Sequence, residues 1–197
     1  MKEFTYVRKT GNQILEIATD FALLRIAVFK EFPYLYAGEM AYELEYIQTY
    51  AQSENAFLFA IYHDSKMIGA STCIPMEDET EEVKRPFIEA GYPISEIFYF
   101  GESILLPSYR GLGFGHLFFE ERENYARNFP SIRTVCFCAV QRPENHPLKP
   151  EVVFKKEDFW HKKGFVERPE LVCEMEWKDL NQEKSDFKKL TFWTKSL

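Results

Sequence analysis

The chain has little of what a metal centre or a disulfide framework needs. Its 197 residues include only four histidines and four cysteines. Cys73, Cys136, Cys138 and Cys173 are spread through apolar, strand-like runs with no C-x-x-C pair, so reduced core thiols are expected and no metal site is indicated. No uninterrupted apolar run approaches the ~20 residues of a membrane span. The start, MKEFTYVRKTG, lacks the apolar stretch of a signal peptide; a cytoplasmic protein with no membrane partner is the expectation. Positive charge is also short, 24 Lys and Arg against 31 Asp and Glu for a net charge of −7. That balance argues against nonspecific nucleic-acid binding and leans toward cationic partners.

What is present is ordinary globular material, 46% hydrophobic and 28% charged, enough for one domain with a substantial core. Residues 1–180 are expected to form that domain. Residues 181–197 are set apart as a tail, polar at first and docked at its end through Leu190, Phe192 and Trp193. Apolar residues at helical spacing (Ile14, Ile17, Ala18, Phe21, Leu24, Ile26, Val28) predict a helix over 13–29. Pro33 and Gly38 break it, and a second helix is expected over 39–52. Residues 56–62 and 66–74 predict a hairpin through His63-Asp64-Ser65. The acidic stretch 77–82 is either a solvated loop or a cation-binding rim. A short helix over 83–90 follows. The main strand is 97–106, followed by a helix over 114–129 and a strand over 132–140. A proline-rich connection (141–150), a short helix (157–163) and strands at 165–166 and 171–177 complete an α/β (α+β) order. Its sheet is expected to be mostly antiparallel, with helices on both faces.

Between the main strand and its helix lies Arg110-Gly111-Leu112-Gly113-Phe114-Gly115. Alternate glycines let backbone N–H groups converge and a ligand approach the main chain. The following helix adds its positive dipole end, and together these make an anion site; a plain glycine connector is the other reading. His116 and Leu117 follow Gly115, where a P-loop needs Lys-Ser/Thr. Arg110 stands where a dinucleotide fingerprint has its first glycine. What remains is R-x-x-G-x-G after a strand, and this resembles the acetyl-CoA pyrophosphate loop of the GNAT N-acetyltransferase superfamily. Upstream, FYFGESILLPSYRG (98–111) is similar to that family's fourth strand entering its loop. Downstream, FWHKKGF (159–165) is similar to its late helix-to-strand signature.

The resemblance implies a six- to seven-stranded sheet splayed between strands 4 and 5, with acetyl-CoA in the splay and a small-molecule or peptide amine as acceptor. Homodimerisation is a family habit and carries over as an expectation. Backbone groups of Ile104, Leu105 and Leu106 would pair with pantetheine, the amide of Leu105 would face the thioester oxygen, and Arg110, Gly111, Leu112, Gly113, Phe114, Gly115 and His116 would hold the pyrophosphate. The amine must shed a proton before it attacks. By the two-residue period Phe98, Phe100, Glu102, Ile104 and Leu106 share one face, so Glu102 is a carboxylate in an apolar row. It is either the general base or a carboxylate bonded for structure.

Two departures from the family stand out. Trp160 fills the slot of the usual tyrosine acid, and indole is no acid at pH 7; His146, Tyr109 and Cys138 are substitutes of lesser standing. The connection RPENHPLKP (142–150) is longer than usual. Its Arg142, Asn145 and His146 either reach the acceptor side or lie on a stiff surface loop. Tyr34 and Tyr36, in the loop between the first two helices, either border the acceptor pocket or pack with wet hydroxyls. An acetyltransferase is thus set against a non-catalytic acyl-CoA sensor and a binder of another phosphorylated ligand.

Overall fold

The computed structural model describes residues 3–151 and 156–197. Strand β1 (Phe4–Thr10) ends at Thr10, whose N–H donates to the Gln13 side chain at 3.4 Å. That local bond starts a 3-10 stretch, Gly11–Ile17, which continues as α1 (Ala18–Phe29). The helix expected from residue 13 is therefore α-helical only from Ala18. After α2 (Met40–Tyr50) the hairpin of β2 (Phe57–His63) and β3 (Lys66–Pro75) forms as its alternation predicts. Phe57, Phe59 and Ile61 face one core while Leu58 and Ala60 face another. Then come α3 (Glu81–Glu89), β4 (Ile97–Tyr99), β5 (Ser103–Leu105), α4 (Phe114–Ala126), β6 (Thr134–Val140), α5 (Lys156–Lys162), β7 (Val166–Trp177) and β8 (Asp186–Ser196).

The sheet runs β1-β2-β3-β4-β6-β8-β7, with β5 also paired to β3. All pairs are antiparallel except β4 with β6. One core lies under α1, α2 and α3, the other under α4, so both faces are covered.

The strand expected over 97–106 is two strands, those expected at 165–166 and 171–177 are one (β7), and β8 is added, which gives eight in all. Gly101 donates to the Thr72 carbonyl at 3.1 Å while Glu102 accepts from the Thr72 N–H at 3.0 Å, so two residues oppose one. This is a β-bulge. A Cβ on Gly101 would lie 2.8 Å from Thr72 Oγ1, which explains the glycine. The extra residue inverts the faces. Phe98 and Phe100 belong to the α4 core, whereas Ile104 belongs to the α1 core. Phe98, Phe100, Glu102 and Ile104 therefore do not share a face, contrary to strict alternation.

The bulge also opens the sheet. Tyr99 pairs with Cys136, and the Phe100 N–H donates to the Cys136 carbonyl at 2.7 Å. Beyond that point β5 pairs only with β3, and residues 137–140 of β6 pair only with β8. The gap between β5 and β6 is the splay that the resemblance implies. Residues 181–197, set apart as a tail docked at its end, include β8, which lies inside the sheet between β6 and β7. Leu190 and Phe192 are buried there on one face and Trp193 on the other. Among the described residues no helix is long and apolar enough to cross a membrane, and no His/Cys/Asp/Glu group could hold a metal ion.

Candidate active site

The glycine loop begins after β5 with a 3-10 turn, Pro107–Tyr109, and ends at Gly113, the N-cap of α4. Gly111 and Gly113 have φ of +79° and +87°, in the left-handed region that favours glycine. A Cβ on either would meet nothing within 4 Å among the described residues. The N–H groups of residues 111–115 donate to no backbone carbonyl among the described residues. They stand at the positive end of a thirteen-residue helix, a ready anion cradle. His116, expected among them, spends its N–H on the Gly113 carbonyl at 3.0 Å. Its ring packs on Phe159 at 4.9 Å. Arg110 pairs with Glu31 at 2.7 Å and caps the Leu105 carbonyl at 3.3 Å.

The gap-facing backbone differs from expectation. Leu106 donates to the Ile68 carbonyl at 2.9 Å and Glu102 accepts from Thr72, so the alternate residue Ile104 also spends its polar groups on β3. Of the expected trio, only Leu105 turns its N–H and carbonyl to the gap. Ser103 does so too, which the sequence reading missed. In a trans peptide the N–H and C=O point oppositely; with the Glu102 carbonyl on β3, the Ser103 N–H points into the splay.

Glu102 itself is buried on the α1–α2 side of the sheet. Arg25 of α1 forms short ion pairs with Glu102 and with Glu43 of α2. The Tyr46 hydroxyl donates to Glu102 Oε1 at 3.2 Å. Thr72 Oγ1 donates to Oε2 and accepts from the Glu102 N–H at 2.9 Å. The Arg25 guanidinium lies 4.3 Å from the centre of the Tyr46 ring. Glu43 is 0% exposed, and its Oε1 has no partner in hydrogen-bonding geometry among the described residues. Two carboxyl groups thus share one guanidinium. The Tyr36 hydroxyl belongs with this cluster, pushed up first by burial and then by Glu43. Burial pushes Tyr46 up as well, so it stays a donor.

Arg122 of α4 grips the same residue from the opposite face. It is 1% exposed, donates to the Glu102 carbonyl and to the Phe118 carbonyl at 3.1 Å each, and lies over Phe100 at 4.4 Å and Phe119 at 4.9 Å. Burial pulls its guanidinium down to about 10. Neither arginine was singled out from the sequence.

The other expected acceptor residues are spent on structure. Arg142 forms a bidentate pair with Asp179 at 2.7 and 2.9 Å and donates to the carbonyls of Pro33 and Tyr34 at 2.7 Å each. Burial pushes Asp179 up, but Arg142 and Lys188 outweigh it and hold the carboxyl below its ordinary range. Tyr34 packs on Phe29 at 4.6 Å, and its hydroxyl is pushed up by burial. His146 accepts from the Leu148 N–H at 3.2 Å and lies against Phe32. Trp160 fills the α4-side core between Phe137 at 4.9 Å and Trp193 at 5.0 Å. Of the substitute acids, Tyr109 bonds His63 at 2.7 Å and Cys138 bonds the Tyr99 hydroxyl at 3.1 Å. In the acidic stretch, burial raises Glu79 to about 7.

A family model described as the acetyltransferase (GNAT) family matches residues 22–150. Among solved structures, an acetyltransferase from Thermus thermophilus is similar with a TM-score of 0.60 at 14% identity, covering 100% of both chains. A GNAT-family acetyltransferase from Streptococcus pneumoniae gives 0.59 at 15% identity, covering 99% of this chain and 100% of its own. The PaiA N-acetyltransferase of Thermoplasma acidophilum, solved in complex with coenzyme A, gives 0.54 at 11% identity over 99% of each chain. At these identities the likeness is one of fold. No curated protein sequence matches the chain.

Proposed function

The chain belongs to the GNAT acetyltransferase family, and on that premise we propose that it transfers an acetyl group directly from acetyl-CoA to a primary amine of a small molecule or peptide. The carrying observation is the run of amides at 111–115 without a backbone acceptor among the described residues, at a helix N-terminus beside an open gap in the sheet. Those amides hold the pyrophosphate, and Arg110 screens it from Glu31. Leu105 and Ser103 turn a strand edge to the pantetheine and the thioester, with the Leu105 carbonyl already capped by Arg110. Their N–H groups stabilise the charge that develops on the thioester oxygen, an effect worth roughly 2.7–4 kcal/mol per donor elsewhere.

Glu102 takes up the proton that the ammonium sheds. Its two oxygens keep lone pairs beyond those used by Arg25, Tyr46 and Thr72. The free amine then attacks the thioester carbon; the C–N bond forms, the C–S bond breaks, and the second nitrogen proton passes to the departing sulfur. No acid from Trp160 is needed, since the departing sulfur takes its proton from the amine nitrogen.

Thiol release measured with a panel of polyamines, aminoglycosides, amino acids and peptides tests this. Turnover with one class, and a Glu102→Gln variant that retains binding but loses turnover at neutral pH, is the expected result. Unchanged turnover in that variant removes Glu102 from proton transfer. The indole of Trp160 in the acid's slot favours a second reading, an acyl-CoA-binding module without turnover. Tight calorimetric binding with no acceptor in the panel consumed would establish that one.

A further inference from the structure

The Arg122 guanidinium is a buried charge with no carboxylate partner among the described residues, and its Nη2 has no hydrogen-bond acceptor among them. Such a group costs several kcal/mol to bury unless something uses its charge. Packing alone would be served by methionine or leucine among Phe100, Phe118 and Phe119. The placement is specific. The Glu102 carbonyl accepts from Arg122 Nη1 at 3.1 Å and from the Thr72 N–H at 3.0 Å. One of these donors is charged, in a tightly packed core. Hydrogen bonds at a carbonyl polarise its peptide and strengthen the N–H at the other end; that N–H belongs to Ser103 and points into the splay.

We infer that Arg122 is a positioning residue for acyl transfer: seated behind the bulge, it fixes the Glu102–Ser103 peptide and polarises the Ser103 N–H toward the thioester oxygen. The inference rests on acetyl-CoA occupying the gap. Arg122 touches neither substrate, and it acts through one peptide bond.

Isotope-edited infrared spectroscopy of acetyl-CoA labelled with carbon-13 at the thioester carbonyl, bound to the full chain, reads that polarisation without any acceptor. The wild-type carbonyl band is expected at lower frequency than in water. In Arg122→Met it moves back toward the water value while calorimetric affinity stays comparable, and Arg122→Lys restores part of the shift. With an accepted amine, kcat falls about ten- to a hundredfold in Arg122→Met with KM for acetyl-CoA unchanged, a fraction of the loss from deleting a whole oxyanion donor. A folded, binding Arg122→Met with the wild-type band overturns the inference. If that variant does not fold, Arg122→Gln decides by the same comparison. A wild-type band at or above the water value overturns it with no variant at all. Failure of the wild type to bind acetyl-CoA sinks the proposed function instead, and this inference with it.

Discussion

Replacing Arg25 with leucine is the sharpest test of the buried cluster. Arg25 is 8% exposed and is the cation within reach of both Glu43, at 0%, and Glu102, at 8%. Its loss leaves two carboxylates facing each other where Glu43 Oε1 already has no partner among the described residues. Removing one partner of a buried ion pair costs about 3–5 kcal/mol, most of it the penalty of stranding the other charge. The lost stacking on Tyr46, 4.3 Å away, adds on the order of 0.5 kcal/mol. For a domain of this size 1 kcal/mol moves the midpoint by roughly 2–4 °C, so a fall of about 6–20 °C is expected. Thermal and urea unfolding at pH 7 measure it. Because the penalty is electrostatic, adding Glu43→Gln and Glu102→Gln to Arg25→Leu should recover most of the loss. A single-variant cost under about 1 kcal/mol, the range of exposed pairs, or a triple variant no more stable than the single, would refute the reasoning.

The loop and the acidic stretch yield two further expectations. Gly113→Ala places an L-residue at φ +87° without any clash, so unfolding should show a loss of about 1–2 kcal/mol from backbone alone. Calorimetry should show weaker acetyl-CoA binding; Gly115→Ala, whose Cβ would sit 3.6 Å from Phe159 in ordinary contact, should leave stability nearly unchanged. Burial raises Glu79 from 4.5 to about 7. A raised folded-state value means stability present in full below about pH 4.5 and lost as pH rises through about 7. Glu79→Gln should therefore gain on the wild type between about pH 5 and pH 8 by no more than about 2 kcal/mol, its partial exposure limiting the effect. Equal urea-midpoint differences at the two pH values would count against it.

The parts of this fold that local pattern dictates were legible. Alternation found the β2–β3 hairpin within a residue or two, and the glycine loop announced the helix behind it. What escaped were features in which one residue breaks a period. Strict alternation from Phe98 to Leu106 has no room for a bulge, and Gly101 was its sole trace. Arg25 and Glu43 also left a trace: Arg25 sits four residues after buried Phe21, and Glu43 four before buried Ile47, so each is a charge on an apolar stripe. Whether such a charge snorkels or is paired depends on a partner distant in sequence, and composition cannot supply it. Strand β8 was missed because Lys188, Lys189 and Thr191 look solvated. In the fold Lys188 reaches the Trp177 carbonyl at 2.8 Å and Thr191 is buried on the strand.

The bulge at Gly101 and Glu102 joins fold to chemistry. One inserted residue ends the pairing of β4 with β6 and so opens the gap. The same insertion rotates the Glu102 side chain from the phenylalanine face to the α1–α2 face, where Arg25 and Tyr46 receive it. It also turns the Glu102 carbonyl toward Arg122 and β3 and, through the planar peptide, the Ser103 N–H toward the gap. The gap, the seat of the Glu102 carboxylate and the gap-facing Ser103 N–H are therefore not three features assembled separately. They are three consequences of one local change in register, held between an arginine from each helical layer.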